Sequence, residues 1–141
     1  MNGARNVPGP GCGTEQGQMI KVKHFTDRVE RDDGQRIWVE PIGVTKDLAQ
    51  LCAIHHVLAH LGPPTELANW FEEHPDGYEY FRGRYHEHLG KGPFRQALQA
   101  LALAALNEDF TLLHHGDDPE HNSATALYEF LIELQAYKSP D

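Results

Sequence analysis

Apolar positions along the chain change period several times, and each change marks an element. "MIKVKHF", Met19 to Phe25, places Ile20, Val22 and Phe25 among polar neighbours. Near-alternation of β-rich residues predicts a strand. After a polar connector whose Asp33-Gly34 reads as a turn, "RIWVEPIGV" predicts a second strand, ended by Pro41 and Gly43. From Asp47 to Leu61 the period lengthens. Leu48, Leu51, Ile54, His55, Leu58 and Leu61 trace one helical stripe, which Gly62-Pro63-Pro64 stops.

Helical spacing continues in "TELANWFEEH", with Leu67, Trp70 and Phe71 inward, and in "YEYFRGRYHEHL", where Tyr78, Phe81, Tyr85 and Leu89 (or His88) share a face. "FRQALQALALAAL", Phe94 to Leu106, is apolar almost all round and predicts the most buried helix. "DFTLLHH" predicts the third strand. A closing helix runs from about Pro119 to Ala136, with Ala124, Leu127, Leu131 and Leu134 as its stripe. Strands alternating with helices predict an α/β fold: a small, mainly parallel, three-stranded sheet with helices packed on it, and a high share of helix.

At 141 residues the chain has room for one self-sufficient core. Residues 19–138 are expected to form that single domain. Residues 1–18, rich in Gly, Pro, Asn and Gln, read as a flexible leader or as a start placed too early, with Met19 as the start.

The formal net charge of −9 argues against nucleic acid as a partner, since phosphate binding is driven by Lys and Arg. Cys12 and Cys52, the two cysteines, form neither a disulfide framework nor a Cys-x-x-Cys pair. "ALALAAL" is too short to span a bilayer, and the N-terminus lacks the apolar core of a signal peptide. A cytoplasmic protein with no membrane partner is expected.

Chemistry concentrates in "LLHHGDDPEHNSA", Leu112 to Ala124, where a predicted strand gives way to a predicted helix. Asp118 before Pro119 reads as a helix N-cap with Pro at the first helical position, and Glu120 suits the helix dipole. The same place is where open α/β sheets bind ligands, beyond the carboxyl ends of parallel strands. His114, His115, Asp118, His121 and Asn122 are therefore candidate ligand-binding residues. His24, at the end of the first strand, joins them if the strands run parallel. Asp118 and His121 are candidate acid/base partners, with no nucleophile evident beside them. His56 and His60 are four apart and share a face if helical, a spacing that suits two zinc ligands, but no third ligand is evident. No Gly-rich phosphate loop and no Gly-x-Ser-x-Gly elbow is present. The cofactor is left open.

Four blocks carry a family resemblance: "MIKVKHF", "PPTELANWF", "FRGRYHEHL" and "TLLHHGDDPEHNSA". Their order and spacing resemble the bacterial domain-of-unknown-function 488 family, in its YeaO-like branch, over about residues 19–135. Phe81, Arg84, Tyr85, Leu89, Leu112, Leu113, Asp118, Asn122 and Ala124 fall on matching positions. The resemblance implies Rossmann-like layering, a cytoplasmic protein and no established reaction. It adds Arg84 to the candidate ligand-binding residues. It also marks Asn122 as more than a cap requires, because that residue falls inside the predicted helix. Where the family usually carries Asp-Arg-Leu-Trp-Pro-Arg-Gly, this chain has "EPIGVTK", with Glu40 in the place of the Asp. Ala68 stands where the family has an Arg. At least three family arginines are thus missing, which implies that this chain binds any anion they hold poorly, or binds something else.

These readings favour a non-catalytic or degenerate domain that binds a small molecule or a protein partner at the strand carboxyl edge. One alternative is an enzyme acting on a small polar or anionic metabolite, with His115, His121 and Asp118 moving protons and Arg84 positioning substrate. Another is a His-dependent metal or haem binder.

Overall fold

The computed structural model describes residues 20–138. The predicted leader 1–18, Met19 and Cys12 lie outside the described residues. Four strands form one parallel sheet in the order β1-β4-β2-β3. They are β1 (Ile20–His24), β2 (Gln35–Trp38), β3 (His56–Val57) and β4 (Phe110–His114). The helices are α1 (Lys46–Leu51), α2 (Thr65–Glu73), α3 (Tyr78–Lys91), α4 (Arg95–Ala104) and α5 (Ser123–Lys138).

β4 is the centre of the sheet. Its five residues are all buried, as a strand flanked on both edges and covered on both faces requires. Phe110 pairs with both Ile20 and Gln35, so β1 and β2 run in step along it. One face carries the main core: Ile37 and Leu112 pack with Phe81, Tyr85 and Leu89 of α3 and Leu127 and Leu131 of α5. A smaller cluster of Trp38, Ile54 and Leu113, with Phe25, Val44 and Ala49 against it, covers the other face. No helix among the described residues is long and apolar enough to cross a membrane.

The sheet has four strands rather than the three expected, because the predicted helix from Asp47 to Leu61 is two different things. α1 stops at Leu51, and none of its residues is buried. Ala53 takes a left-handed φ of 54°, which an α-helix does not tolerate. The chain then turns beside β2: the Arg36 N–H donates to His55 Nδ1 at 2.9 Å, and the His55 N–H donates to the Arg36 carbonyl at 2.8 Å. β3 follows, then a short 3-10 turn at Ala59–Leu61. The organising residue is Arg36. Its guanidinium is fully buried and donates to the carbonyls of Cys52 and Ala53. Those carbonyls would otherwise face the next turn of helix. His56 and His60 consequently share no helix face; His56 Nε2 lies 2.9 Å from Gln35 Oε1, and the His60 ring packs against Phe94.

The most buried helix is α5, not α4. Leu98, Ala102 and Ala105 point inward, but Leu103 and Leu106 are 37% and 46% exposed. α4 packs against helices α3 and α5, whereas α5 lies against β1, β4, α3 and α4 together. Among the described residues, Leu103 of α4 and Leu106 just past it stay part exposed.

Candidate functional site

Parallel pairing brings the carboxyl ends of β1, β2 and β4 to one edge. Glu40 lies two residues past β2 and His115 one past β4. The Glu40 side chain is only 4% exposed. Its Oε2 accepts the His115 backbone N–H at 3.1 Å and lies 2.9 Å from His115 Nδ1. The geometry of that second approach falls short of a hydrogen bond, and the two groups meet as an ion pair when the ring is protonated. Ser123, the first residue of α5, is near enough to Glu40 to favour its charged form. On the far side of the ring, His115 Nε2 is 3.6 Å from Glu72 Oε2 on α2.

Burial opposes the charge on Glu40, but His115 and Ser123 together outweigh it and hold the carboxyl below its ordinary value. The contact with Glu40, against the opposing effect of burial, raises the pKa of His115. His114 moves the other way. Burial lowers its pKa, and it packs edge-on against His24 at a ring distance of 5.5 Å.

From His115 to Asn122 the backbone is shaped by Asp118. Its Oδ1 accepts the N–H groups of Glu120 and His121, at 2.9 and 3.2 Å. Its Oδ2 lies 2.9 Å from His121 Nδ1, which raises the His121 pKa and lowers that of Asp118. Asp118 is therefore the pivot of a turn and not the expected N-cap. α5 starts at Ser123, and its cap is Asn122, whose Oδ1 accepts the Thr125 N–H at 2.8 Å. Asn122 Nδ2 donates to the Asp118 carbonyl at 2.9 Å and ties the turn to the helix. Asn122 thus lies at the end of the helix, not inside it, and capping accounts for its position.

Between this turn and α2 lies a cavity of about 310 Å³. Glu40, Glu72, His115, Asp117, Asp118 and His121 supply its titratable lining, and Ala68, Phe71 and Pro75 its apolar wall. The volume falls at the small end of the range for small-molecule sites. Among the expected site residues, His115, Asp118, His121 and Asn122 come together here. His114 and His24 line a neighbouring groove with Asp27. Arg84 is elsewhere: on α3, 3.8 Å from Glu87 and over the Tyr80 ring, it lines a separate groove with Trp70. Ala68, where the resemblance expects an arginine, forms part of the cavity wall.

Glu72, Phe71 and Asp117 were not among the expected site residues, and Glu40 was noted only as a stand-in for a family Asp. Glu40 had a signal of its own. A carboxylate directly after the apolar run "IWV" sits at a strand's carboxyl end. Glu72 had none, because α2 approaches the edge only through tertiary packing.

Among the described residues, no three histidine, cysteine or acidic groups converge on a metal position at the cavity. Among the described residues, the grouping with ligating geometry is Glu30, Asp32 and Asp33, outside the cavity, and Lys21 and Lys23 already pair with its carboxylates.

Known proteins supply a family for this arrangement. A family model described as a domain of unknown function, DUF488, matches residues 21–131. Uncharacterized proteins of Mycobacterium bovis and of two strains of Mycobacterium tuberculosis are 27% identical over 99 residues, which is 68% of this chain and 81% of theirs. No solved structure matches the chain. The family match runs from β1 into α5 and includes every residue of the cavity, so the chain belongs to the DUF488 family.

Proposed function

We propose that this protein is a small-molecule-binding domain whose site is the cavity at the carboxyl edge of the sheet. The observation that carries this reading is the position of the Glu40–His115 pair. A buried carboxylate holds an imidazole at the mouth of a preformed, partly apolar concavity, at the edge where parallel α/β sheets take ligands. The histidine side chain is 32% exposed, so the pair is open to a bound molecule.

Native mass spectrometry of the untagged full chain, before and after incubation with a cell metabolite extract, tests the reading. The expected result is a discrete bound mass below the size of a peptide. Ala68→Phe, which fills the wall of the cavity from α2, should abolish that mass while leaving the thermal unfolding transition in place. Persistence of the bound mass in a folded Ala68→Phe variant would place the ligand elsewhere and sink the proposal.

A second reading is supported by a specific feature, the two carboxylate–imidazole contacts at 2.9 Å, Glu40 with His115 and Asp118 with His121. A carboxylate that orients and charges an imidazole is how general acid–base pairs are built. The chemistry that such pairs support is proton transfer. A cytoplasmic setting suits both readings.

A further inference from the structure

The charge around the cavity decides what kind of molecule belongs there. We propose that the ligand of this site is a small organic cation, an ammonium or amidinium on a compact apolar body. This rests on the small-molecule-binding reading above.

Glu40, Glu72, Asp117 and Asp118 face two imidazoles, and no lysine or arginine lines the cavity. The four carboxylates outnumber the two imidazoles, so the lining is net negative even when both rings carry a proton. A protonated His115 would sit between Glu40 and Glu72, where its charge is already neutralised.

One feature of the fold argues for an anion, and the protein itself has used it. The N-terminus of a helix attracts negative charge, and α5 begins at this cavity. Glu40 occupies that position: it is buried, its Oε2 accepts the His115 N–H, and it lines the cavity together with Ser123, the first residue of α5. Asn122 takes up the Thr125 N–H. An external anion would have to approach Glu40 at close range.

Ala68 and Phe71 of α2, with Pro75 just past it, form an apolar wall beside Glu72. The Phe71 ring is stacked on Phe81 at 4.4 Å, which fixes the wall in place. A bound cation would direct its charge at Glu72 and Asp118 and lay its body against that wall. Apolar contact supplies the affinity and the carboxylates the choice of sign.

Three isosteric probes test this: benzylammonium, benzyl alcohol and benzoate, titrated into the full chain with amide chemical shifts as the readout. Benzylammonium should shift the Gly116, Asp117 and Ser123 amides saturably, with an affinity roughly tenfold above that of benzoate. Glu72→Gln, on an exposed side chain, should weaken benzylammonium by roughly threefold, the scale of a partly exposed ion pair. Glu66→Gln, in a different groove, should leave it unchanged. If benzoate or benzyl alcohol shifts the same amides and binds as tightly as benzylammonium, the cation assignment is overturned while the cavity remains a binding site. If no probe moves those amides, both readings fall.

Discussion

The charged network beside β2 and the charged cluster beyond β4 are built from the same chemical groups and do different things. Arg36 is fully buried, and its guanidinium makes five hydrogen bonds, to Asp33 and to the carbonyls of Phe25, Asp27, Cys52 and Ala53. Asp33 is 1% exposed and also holds Lys21 and Lys23. Every charge there is spent on the protein, and the network joins β1, β2 and the end of α1. Glu40 is equally buried, but its partner His115 is part exposed, and Glu72 beyond it is 64% exposed and borders a cavity. Burial of a charge is therefore not the sign of a site. What distinguishes the two is whether polar capacity is left facing open space.

The largest test of that contrast is Asp33→Ala. It strands a buried guanidinium, and the expected loss is about 3–5 kcal/mol of unfolding free energy, read from urea denaturation. A loss below about 1 kcal/mol would mean that water reaches Arg36 and that the network is not closed. Burial opposes the Asp33 charge, but Lys21, Lys23, the Glu30 N–H and Arg36 outweigh it, so its carboxyl is held well below the usual range. A depressed carboxylate stabilises above its unfolded-state pKa of about 3.9. That contribution should drain away as the pH falls from there through the folded value.

A smaller effect separates the two residues of the turn. Asn122→Ala should cost about 1 kcal/mol, the usual worth of a cap, in thermal unfolding. Asp118→Ala should cost less, because Asp118 supports an exposed turn rather than the helix end. The opposite ranking would restore Asp118 as the cap.

The most delicate test sets neighbouring histidines against each other. In an NMR titration His115 should titrate above 6.5 and His114 below it. The signs differ for stability as well. The contribution of His115 is complete below its unfolded value and fades as the pH rises through its folded one. For His114 the unfolded chain takes the proton first, so stability declines as the pH falls below about 6.5. Glu40→Gln should bring His115 down sharply. It should lower His114 a little further, since the Glu40 charge favours protonation of both. Parallel titration of the two rings in the wild type would remove the asymmetry on which the site rests.

Much of the fold is legible in local pattern. Ile20 and Val22, the run "FTLLH", and the stripes of α2 and α3 each announce their element by period. The Asp33-Gly34 turn is present, with Gly34 at φ 61° and packed so closely on the Asp109 backbone that a Cβ would collide with it. The site is half legible. His115, Asp118 and His121 are neighbours in sequence and remain so in space. Glu40 and Glu72 arrive from β2 and α2.

By itself, then, the sequence determined the periods, the turns and the local histidine–aspartate cluster, because these depend on backbone geometry over a few residues. Only the folded chain could assign partners. A single arginine, Arg36, ended α1 early and made room for β3 by capturing carbonyls far along the chain. Asn122 rather than Asp118 capped α5, because two backbone N–H groups turn the loop around Asp118 before the helix begins. Arg84 matched the family pattern and still lined a separate groove, while Glu40, from beyond β2, took up the His115 N–H beyond β4. Long-range contacts decide which charges meet, and the period of a segment carries no information about the side chains that will be packed against it.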